Sequence, residues 1–216
     1  FWPAIGSAET TQRPQRLHPQ PVRVLGPLAQ QLLIALLLQR VLPPITVTTA
    51  AGALGCTPAG VSQAVKELEA GGLIRTEVRG RERWLRLAAT GDVAWQRAQP
   101  LLRSPVRQRL RIRISELPAG VTLRAGESAL AALTDLADPA GPEYALASRL
   151  WPKQDAPRTI PTPDTGTCVV ELWRYAPEAT ADRGCVDPLS LNLSMGEVMD
   201  ERVQLAVQSL MENISW

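Results

Sequence analysis

The stretch from Ile45 to Leu87 constrains the fold more than any other part of the chain. It reads ITVTTAAGALGCTPAGVSQAVKELEAGGLIRTEVRGRERWLRL. A short helix is predicted from about Thr48 to Leu54, followed by a tight turn. Thr57 is placed to cap a second helix that runs to about Ala70, and Pro58 fits its first position, where a missing N–H costs nothing. The stretch therefore predicts two helices joined by a turn.

The second of these helices has one apolar face and one face suited to a ligand. Val61, Val65 and Leu68 recur at helical spacing, which predicts that they pack inward. The other positions carry small, polar or cationic side chains. The residues of this helix that we expect to face a bound molecule are Thr57, Ala59, Ser62, Gln63 and Lys66.

A cationic hairpin is predicted directly after the second helix. Its strands are Leu73–Val78 and Arg83–Leu87, and its turn carries Arg79 and Arg81. Two helices followed by a basic hairpin predict a winged helix-turn-helix, in which the second helix enters the major groove of double-stranded DNA and the hairpin touches phosphates or the minor groove. Arg79, Arg81 and Arg83 are the expected contacts. The same order of elements also occurs in protein–protein modules, but charge favours DNA.

Charge divides the chain into a basic and an acidic half. Residues 1–115 hold 16 Arg and Lys against 6 Asp and Glu, a net charge of +10, whereas residues 116–216 hold 7 against 15, a net charge of −8. A basic half that also carries a helix-turn-helix pattern is typical of nucleic-acid binding. The acidic half is expected to face away from DNA or to meet a basic partner.

The expected fold class is α+β, with a winged helix-turn-helix domain at residues 28–115 and a smaller α/β domain at 116–216. Residues 1–27 are rich in proline and are predicted to form an extended, partly disordered arm. Leu28–Arg40 is predicted to be a strongly apolar helix. Such a helix belongs either in the domain core or at a dimer interface, and the core is favoured.

The densest charge lies in a predicted strand near the end of the basic half. Arg109, Arg111 and Arg113 alternate with apolar residues, which predicts a strand with one arginine face. Two interpretations are open: an edge strand protected by charge, or a second phosphate-binding surface. On the second interpretation Arg107, Arg109 and Arg111 join the DNA-binding residues.

The acidic half predicts further helices and strands. Helices are expected at Ala129–Ala137 and from Asp200 to about Asn213, and strands at Glu143–Ser148 and Cys168–Tyr175. A turn leading into a short apolar segment is expected at Asp187–Leu193.

Several strings, taken together, resemble one family, the AbiEi-type antitoxins of type IV toxin–antitoxin systems, and their MarR-like winged-helix relatives. They occur in family order over roughly residues 45–216. The strings are VSQAVKELEAGGLI, RGRERWLRL, LLRSPVRQRL, AGESALAALTDLADP, EYALAS, ELWRYAP, VDPLSLNLSM and DERVQLAVQSLMENISW. The resemblance implies an antitoxin that binds DNA through its N-terminal domain, represses its own operon and makes no stable contact with its toxin.

Enzymatic, metal-dependent and membrane functions are not expected. No D-x-D string suggests metal-dependent nucleotidyl transfer, and the single histidine and the spacing of three cysteines do not suggest a zinc site or a catalytic triad. No cofactor is expected. The longest apolar run is too short to span a bilayer, so a cytoplasmic protein with reduced thiols is expected.

Two DNA-binding functions remain open from the sequence. The first is a transcriptional regulator, an autorepressor that acts as a homodimer on an inverted repeat. The second is a non-specific DNA-binding protein of repair or nucleoid organisation. A scaffold that uses the acidic half is a third class of function.

Overall fold

The computed structural model describes residues 24–41, 45–153 and 156–216, and within them the chain forms a mixed α+β fold with seven α-helices and two small sheets. The helices are α1 (Pro27–Leu37), α2 (Val47–Ala53), α3 (Pro58–Ala70), α4 (Gly91–Ala98), α5 (Gly126–Leu133), α6 (Pro188–Ser194) and α7 (Glu201–Glu212). The strands are β1 (Ile74–Arg79), β2 (Glu82–Leu87), β3 (Val106–Arg113), β4 (Glu143–Ala147) and β5 (Thr167–Trp173).

Helix α1 is the centre of the first core. Nine of its eleven residues are buried, and Leu25 before it is fully buried. Leu25 lies within the predicted arm, residues 1–27, but belongs to the core. Residues 1–23 of that arm lie outside the described residues. The burial of α1 within its own chain agrees with a core helix rather than a dimer interface.

Helices α2 and α3 begin at capped ends. The hydroxyl oxygen of Thr46 accepts from the N–H of Thr49. The hydroxyl oxygen of Thr49 in turn accepts from the N–H of Thr46, and the two bonds form a capping box. Thr57 likewise accepts from the N–H of Gly60 at the start of α3, as predicted, with Pro58 at the first helical position. These caps satisfy donors that a helix start otherwise leaves without partners.

The first sheet is an antiparallel hairpin of β1 and β2. Ile45 lies beside β2, and its carbonyl accepts from the N–H of Leu85 at 2.8 Å. Thr46 also forms a bridge with Trp84. The segment before α2 is thus hydrogen-bonded to the hairpin that follows α3.

The second sheet has the strand order β3-β5-β4, with β3 antiparallel and β4 parallel to β5. The sequence places β3 within the domain at 28–115. In the structure its hydrogen-bonded neighbour is β5, so β3 belongs to a sheet whose other strands come from the C-terminal half. Residues 28–115 therefore do not contain the pairing partner of their own last strand. The sequence does not predict this pairing, because a local pattern carries no information on strands more than fifty residues apart.

The N- and C-terminal halves share one core and a set of polar contacts. Leu189 of α6 is fully buried in the core of α1–α4, and Met211 and Ile214 pack against that core. The side-chain amide of Gln31 donates to the carbonyl of Ala176 at 2.7 Å. Gln30 donates to the carbonyl of Arg103 at 2.8 Å. These contacts fix α1 against the segment before β3 and the segment after β5.

Helix α6 replaces a predicted turn. The sequence predicts a turn at Asp187–Leu193, and instead the carboxylate of Asp187 accepts from the N–H of Ser190 at 2.8 Å and caps a two-turn helix. Asp187 is fully buried, and Thr180 donates to its second oxygen at 2.6 Å. The cap and Pro188 are standard helix-start signals, so the sequence contained the information for this helix.

Candidate nucleic-acid interface

Helix α3 presents a polar face to solvent. Val61, Ala64, Val65 and Leu68 are buried against the first core. Of the five residues that the sequence predicts to face a ligand, four are exposed and Ser62 is half-buried. The exposed residues are Thr57, Ala59, Gln63 and Lys66. The structure therefore places all five predicted residues of this helix on or beside one outward surface.

Both acidic residues of α3 are engaged inside the molecule. The carboxylate of Glu67 accepts from the N–H of Gly26 at 2.8 Å, and Glu69 accepts from the hydroxyl of Thr76. The chain has no Asp or Glu between Glu9 and Glu67. The outward face of α3 consequently carries Lys66 and polar groups with no carboxylate among them.

The hairpin begins directly after α3. Gly72 has a positive φ of 67° at the end of the helix, and the N–H of Leu73 bonds to the carbonyl of Leu68 at 2.9 Å. Gly80 also has a positive φ, of 64°, at the tip, where the chain reverses. Glycine adopts this conformation without steric cost. The two glycines thus set where the hairpin starts and where it turns.

Arg79 is held by partners within the hairpin. Its guanidinium donates to Glu77 at 2.9 Å and its Cζ lies 4.7 Å from the centroid of the Trp84 ring. The hydrogen bond from Arg79 holds the pKa of Glu77 below its usual value. A cation over an indole face is a favourable contact. Of the three predicted hairpin arginines, Arg79 is therefore the one whose orientation the hairpin itself fixes.

Arg81 and Arg83 are exposed and form no ion pair in the described part of the chain. Arg83 lies opposite Val78, and the Val78 side chain is 70% exposed, so this end of the hairpin extends beyond the core. Both arginines are free to meet an external anion.

Two further exposed arginines lie on the hairpin, on the face opposite to that of Arg83, and were not predicted. Arg75 and Arg86 lie directly opposite each other on β1 and β2, and both are exposed. Neither forms an ion pair with any residue that the structure describes. Like charges at directly opposed positions are destabilising. The alternation of strand residues could have predicted that both side chains are exposed, since each arginine is next to an inward-facing residue of its strand.

The arginines of β3 lie in the other sheet and have different surroundings. Arg109 pairs with buried Glu171, with 2.9 Å between Nε and Oε1, and also donates to the carbonyl of Ser194 at 2.9 Å. Arg111 is half-buried in a cleft on the helix-covered face of its sheet. Arg107 is exposed at a β-bulge. The structure does not bring these three residues onto the surface of α3 and the hairpin.

Comparisons with known proteins add no relative to this picture: no family model, curated protein or solved structure matches the chain. Across the residues that the structure describes, no helix is both long enough and apolar enough to cross a membrane.

Proposed function

We propose that this protein binds double-stranded DNA through a winged helix-turn-helix, with α3 in the major groove and the β1–β2 hairpin against the phosphate backbone. One observation carries the proposal: a carboxylate-free helix face lies next to a hairpin with four exposed arginines that form no ion pair with any residue the structure describes. These arginines are Arg75, Arg81, Arg83 and Arg86.

The order of elements supports this proposal. Three helices are followed by a hairpin, and an isolated bridge between Thr46 and Trp84 joins the segment before α2 to β2. A helix of the size of α3 fits the width of the major groove. Phosphate contacts from a hairpin then fix the register of the helix without carrying sequence information.

The opposed pair Arg75 and Arg86 supports an anionic ligand on the hairpin. Two guanidinium groups on neighbouring strands repel each other, and neither forms an ion pair in the described part of the chain. The charge of Arg86 does act on Glu77, but Glu77 already accepts a hydrogen bond from Arg79. A phosphate group placed between them offsets this repulsion and accepts forked hydrogen bonds from both.

Gln63 is the residue of α3 best suited to read a base. It is exposed at the middle of the outward face, and a glutamine amide pairs with adenine through one donor and one acceptor. A homodimer of such units on an inverted repeat is the assembly of an autorepressor. The narrower proposal of an AbiEi-type antitoxin rests on the sequence strings given above.

The experiment is a binding titration by fluorescence anisotropy, using DNA from upstream of the protein's own gene and a random duplex of equal length at two salt concentrations. We expect a preference of about a thousandfold for the upstream DNA at physiological salt. Gln63→Ala is expected to lose about 1–3 kcal/mol of discrimination at one base pair. Gln108→Ala, an exposed glutamine on the other sheet, is the matched control and should bind as the wild type does.

A second candidate, non-specific DNA binding in repair or nucleoid organisation, is favoured by the same four arginines, because contacts to phosphate are independent of sequence. Equal, steeply salt-dependent affinity for both duplexes would support it against the repressor. Absence of binding to either duplex at low salt would contradict both.

A further inference from the structure

A large open cleft lies in the C-terminal half, in a different sheet from the α3 and hairpin surface. Its volume is about 1280 Å³, which is enough for a small organic molecule. Its floor is one face of the β3-β5-β4 sheet. Its walls are α7, the loop after α5 and the loop before β5.

The floor of the cleft places a cation and a carboxylate on either side of one valine. Arg111 of β3 and Glu143 of β4 are both register partners of Val169 on the central strand β5. Register partners in adjacent strands point to the same face of a sheet. The two Cα atoms are separated by two strand spacings, about 10 Å, and both residues line the cleft.

Arg111 lines the cleft without forming an ion pair to any described residue. It is half-buried, and no carboxylate forms an ion pair with it in the part of the chain that the structure describes. The contrast with Arg109, two residues earlier on the same strand, is direct, because Arg109 has Glu171 as its partner. A partly desolvated guanidinium without a partner is unfavourable in the empty protein and favours an anionic ligand group.

Glu143 lines the same cleft, and one of its two carboxylate oxygens is hydrogen-bonded to the backbone. Its Oε2 accepts from the N–H of Glu127 at 2.7 Å, at the first turn of α5. Its Oε1 has no hydrogen-bond partner among the described residues. The close approach depends on Gly126, which has a positive φ of 51° and where a Cβ would overlap Oε2 of Glu143. The local chain is thus shaped around this carboxyl group.

The remaining lining restricts the ligand. Besides Arg111 and Glu143, the charged residues Glu127, Asp135, Asp138, Asp164 and Arg202 line the cleft. Because carboxylates outnumber guanidinium groups, a molecule with several negative charges is repelled, and a ligand carboxylate is favoured only beside an arginine. Apolar groups of Val203 and Leu205 contribute to the wall formed by α7, and Leu205 is 59% exposed.

We propose that this cleft binds a small zwitterion of the amino-acid class, a free amino acid or a short peptide with an apolar side chain. Its carboxylate pairs with Arg111, its ammonium group pairs with Glu143, and its side chain packs against α7. Each end of such a ligand meets a charged side chain that has no ion pair among the described residues.

The ionisation of Glu143 provides a separate readout. Burial raises the pKa of Glu143 to about 7, and perturbed carboxyl groups in a cleft are typical of functional sites. An ammonium group beside it favours the ionised form. Binding near pH 7 is therefore expected to release a fraction of a proton, measurable by calorimetry in buffers of different ionisation enthalpy.

The test is isothermal titration calorimetry on the full chain without DNA, so that its outcome is independent of the proposed DNA binding. The probes are L-leucine and L-leucyl-L-leucine. The controls are leucinamide, which lacks the carboxylate, and 4-methylpentanoate, which lacks the ammonium group. We expect at least one of the two probes to bind, and which one does so distinguishes a free amino acid from a peptide. Each control ligand should bind at least about tenfold more weakly than that probe.

Variants test the two contacts. Arg111→Gln and Glu143→Gln are each expected to weaken binding about tenfold or more, and Glu143→Gln to abolish the proton release. The side-chain amide of the Glu143→Gln variant keeps an oxygen that can accept from the N–H of Glu127. Arg113→Gln, on the same strand but outside the cleft, is the matched control. The proposal is overturned if neither probe binds at about 10 mM, a concentration at which even a weak affinity is detected. It is also overturned if a singly charged analogue binds as tightly as the probe, or if Arg113→Gln weakens binding as much as Arg111→Gln.

Discussion

Arg109 and Glu171 form an ion pair that joins the edge strand β3 to the central strand β5, with 2.9 Å between Nε and Oε1. Glu171 is only 1% exposed, and its other oxygen accepts from the indole N–H of Trp173 at 2.9 Å. Arg109 also donates to the carbonyl of Ser194 at the end of α6. One arginine thus ties two strands and a helix together while satisfying a buried carboxylate.

Replacing Arg109 by Ala is expected to lower the free energy of unfolding by about 2–3 kcal/mol at neutral pH. Glu171 is then left buried with its charge unpaired, which is strongly destabilising. The expected loss of stability is smaller than for a fully buried pair, because the Arg109 side chain is 44% exposed and solvent screens its charge. Arg107→Ala, an exposed arginine on the same strand, is the control and should change stability by less than about 0.5 kcal/mol. Urea denaturation measures both, and equal losses in the two variants would contradict the role of the pair.

Glu143→Gln is expected to remove a pH dependence of stability. Burial raises the pKa of Glu143 from 4.5 to about 7, so the folded state binds this proton more tightly than the unfolded state. The resulting stabilisation is complete below about pH 4.5 and is lost as the pH rises through 7, a loss of roughly 2–3 kcal/mol.

Unfolding by denaturant at pH 5, 6, 7 and 8 measures this effect. The stability of Glu143→Gln relative to the wild type should increase across this range, since glutamine does not ionise. Glu178→Gln, at an exposed position, should run parallel to the wild type. A constant difference between Glu143→Gln and the wild type at all four pH values would exclude the predicted titration.

The salt dependence of DNA binding should distinguish the hairpin arginines. If Arg81 and Arg83 each contact one phosphate, replacing either by Ala reduces the slope of log affinity against log salt by about 1. Arg79→Ala should reduce the slope by less, because Glu77 and Trp84 already hold that guanidinium. Arg149→Ala, exposed in the C-terminal half, serves as the control. Unchanged slopes for Arg81→Ala and Arg83→Ala would remove the hairpin from the proposed interface.

Tyr175→Phe is expected to cost about 1–2 kcal/mol of stability. The Tyr175 hydroxyl lies 2.9 Å from that of Ser190 and accepts from the Gln30 amide at 3.4 Å, in a buried site between α1 and α6. Burial also raises the pKa of this hydroxyl above its usual value, so it stays protonated and able to donate. Tyr144→Phe is the natural comparison, because its hydroxyl has no hydrogen bond within the described ranges. Similar losses in both variants, by thermal or urea denaturation, would argue against the buried bridge.

Local patterns predicted the elements around α3 closely. The cap at Thr57, the proline at 58 and the end at Ala70 all agree with the structure. These features are encoded within one or two helical turns, where capping and periodicity act directly. The predicted strand Leu73–Val78 became Ile74–Arg79, a shift of one residue at each end.

Long-range pairings could not be predicted in the same way. The alternation in β3 correctly indicated a strand with one arginine face, but a period of two does not say what covers that face. Glu171, more than sixty positions away, determines that Arg109 is a structural partner rather than a free cation. The Arg111 and Glu143 arrangement likewise depends on the register of both strands against Val169, which only the fold supplies.

The burial of Leu189 in the first core has a consequence for synthesis on the ribosome. Helices α1 to α4 leave the exit tunnel well before Leu189, Met211 and Ile214, which complete and cover their core. During that interval the nascent N-terminal half exposes apolar surface that its own residues do not cover, and such surface promotes aggregation. The N-terminal half is therefore expected to reach its final stability only after the acidic half has been translated, so a ribosome stalled before Leu189 would carry an incompletely folded chain.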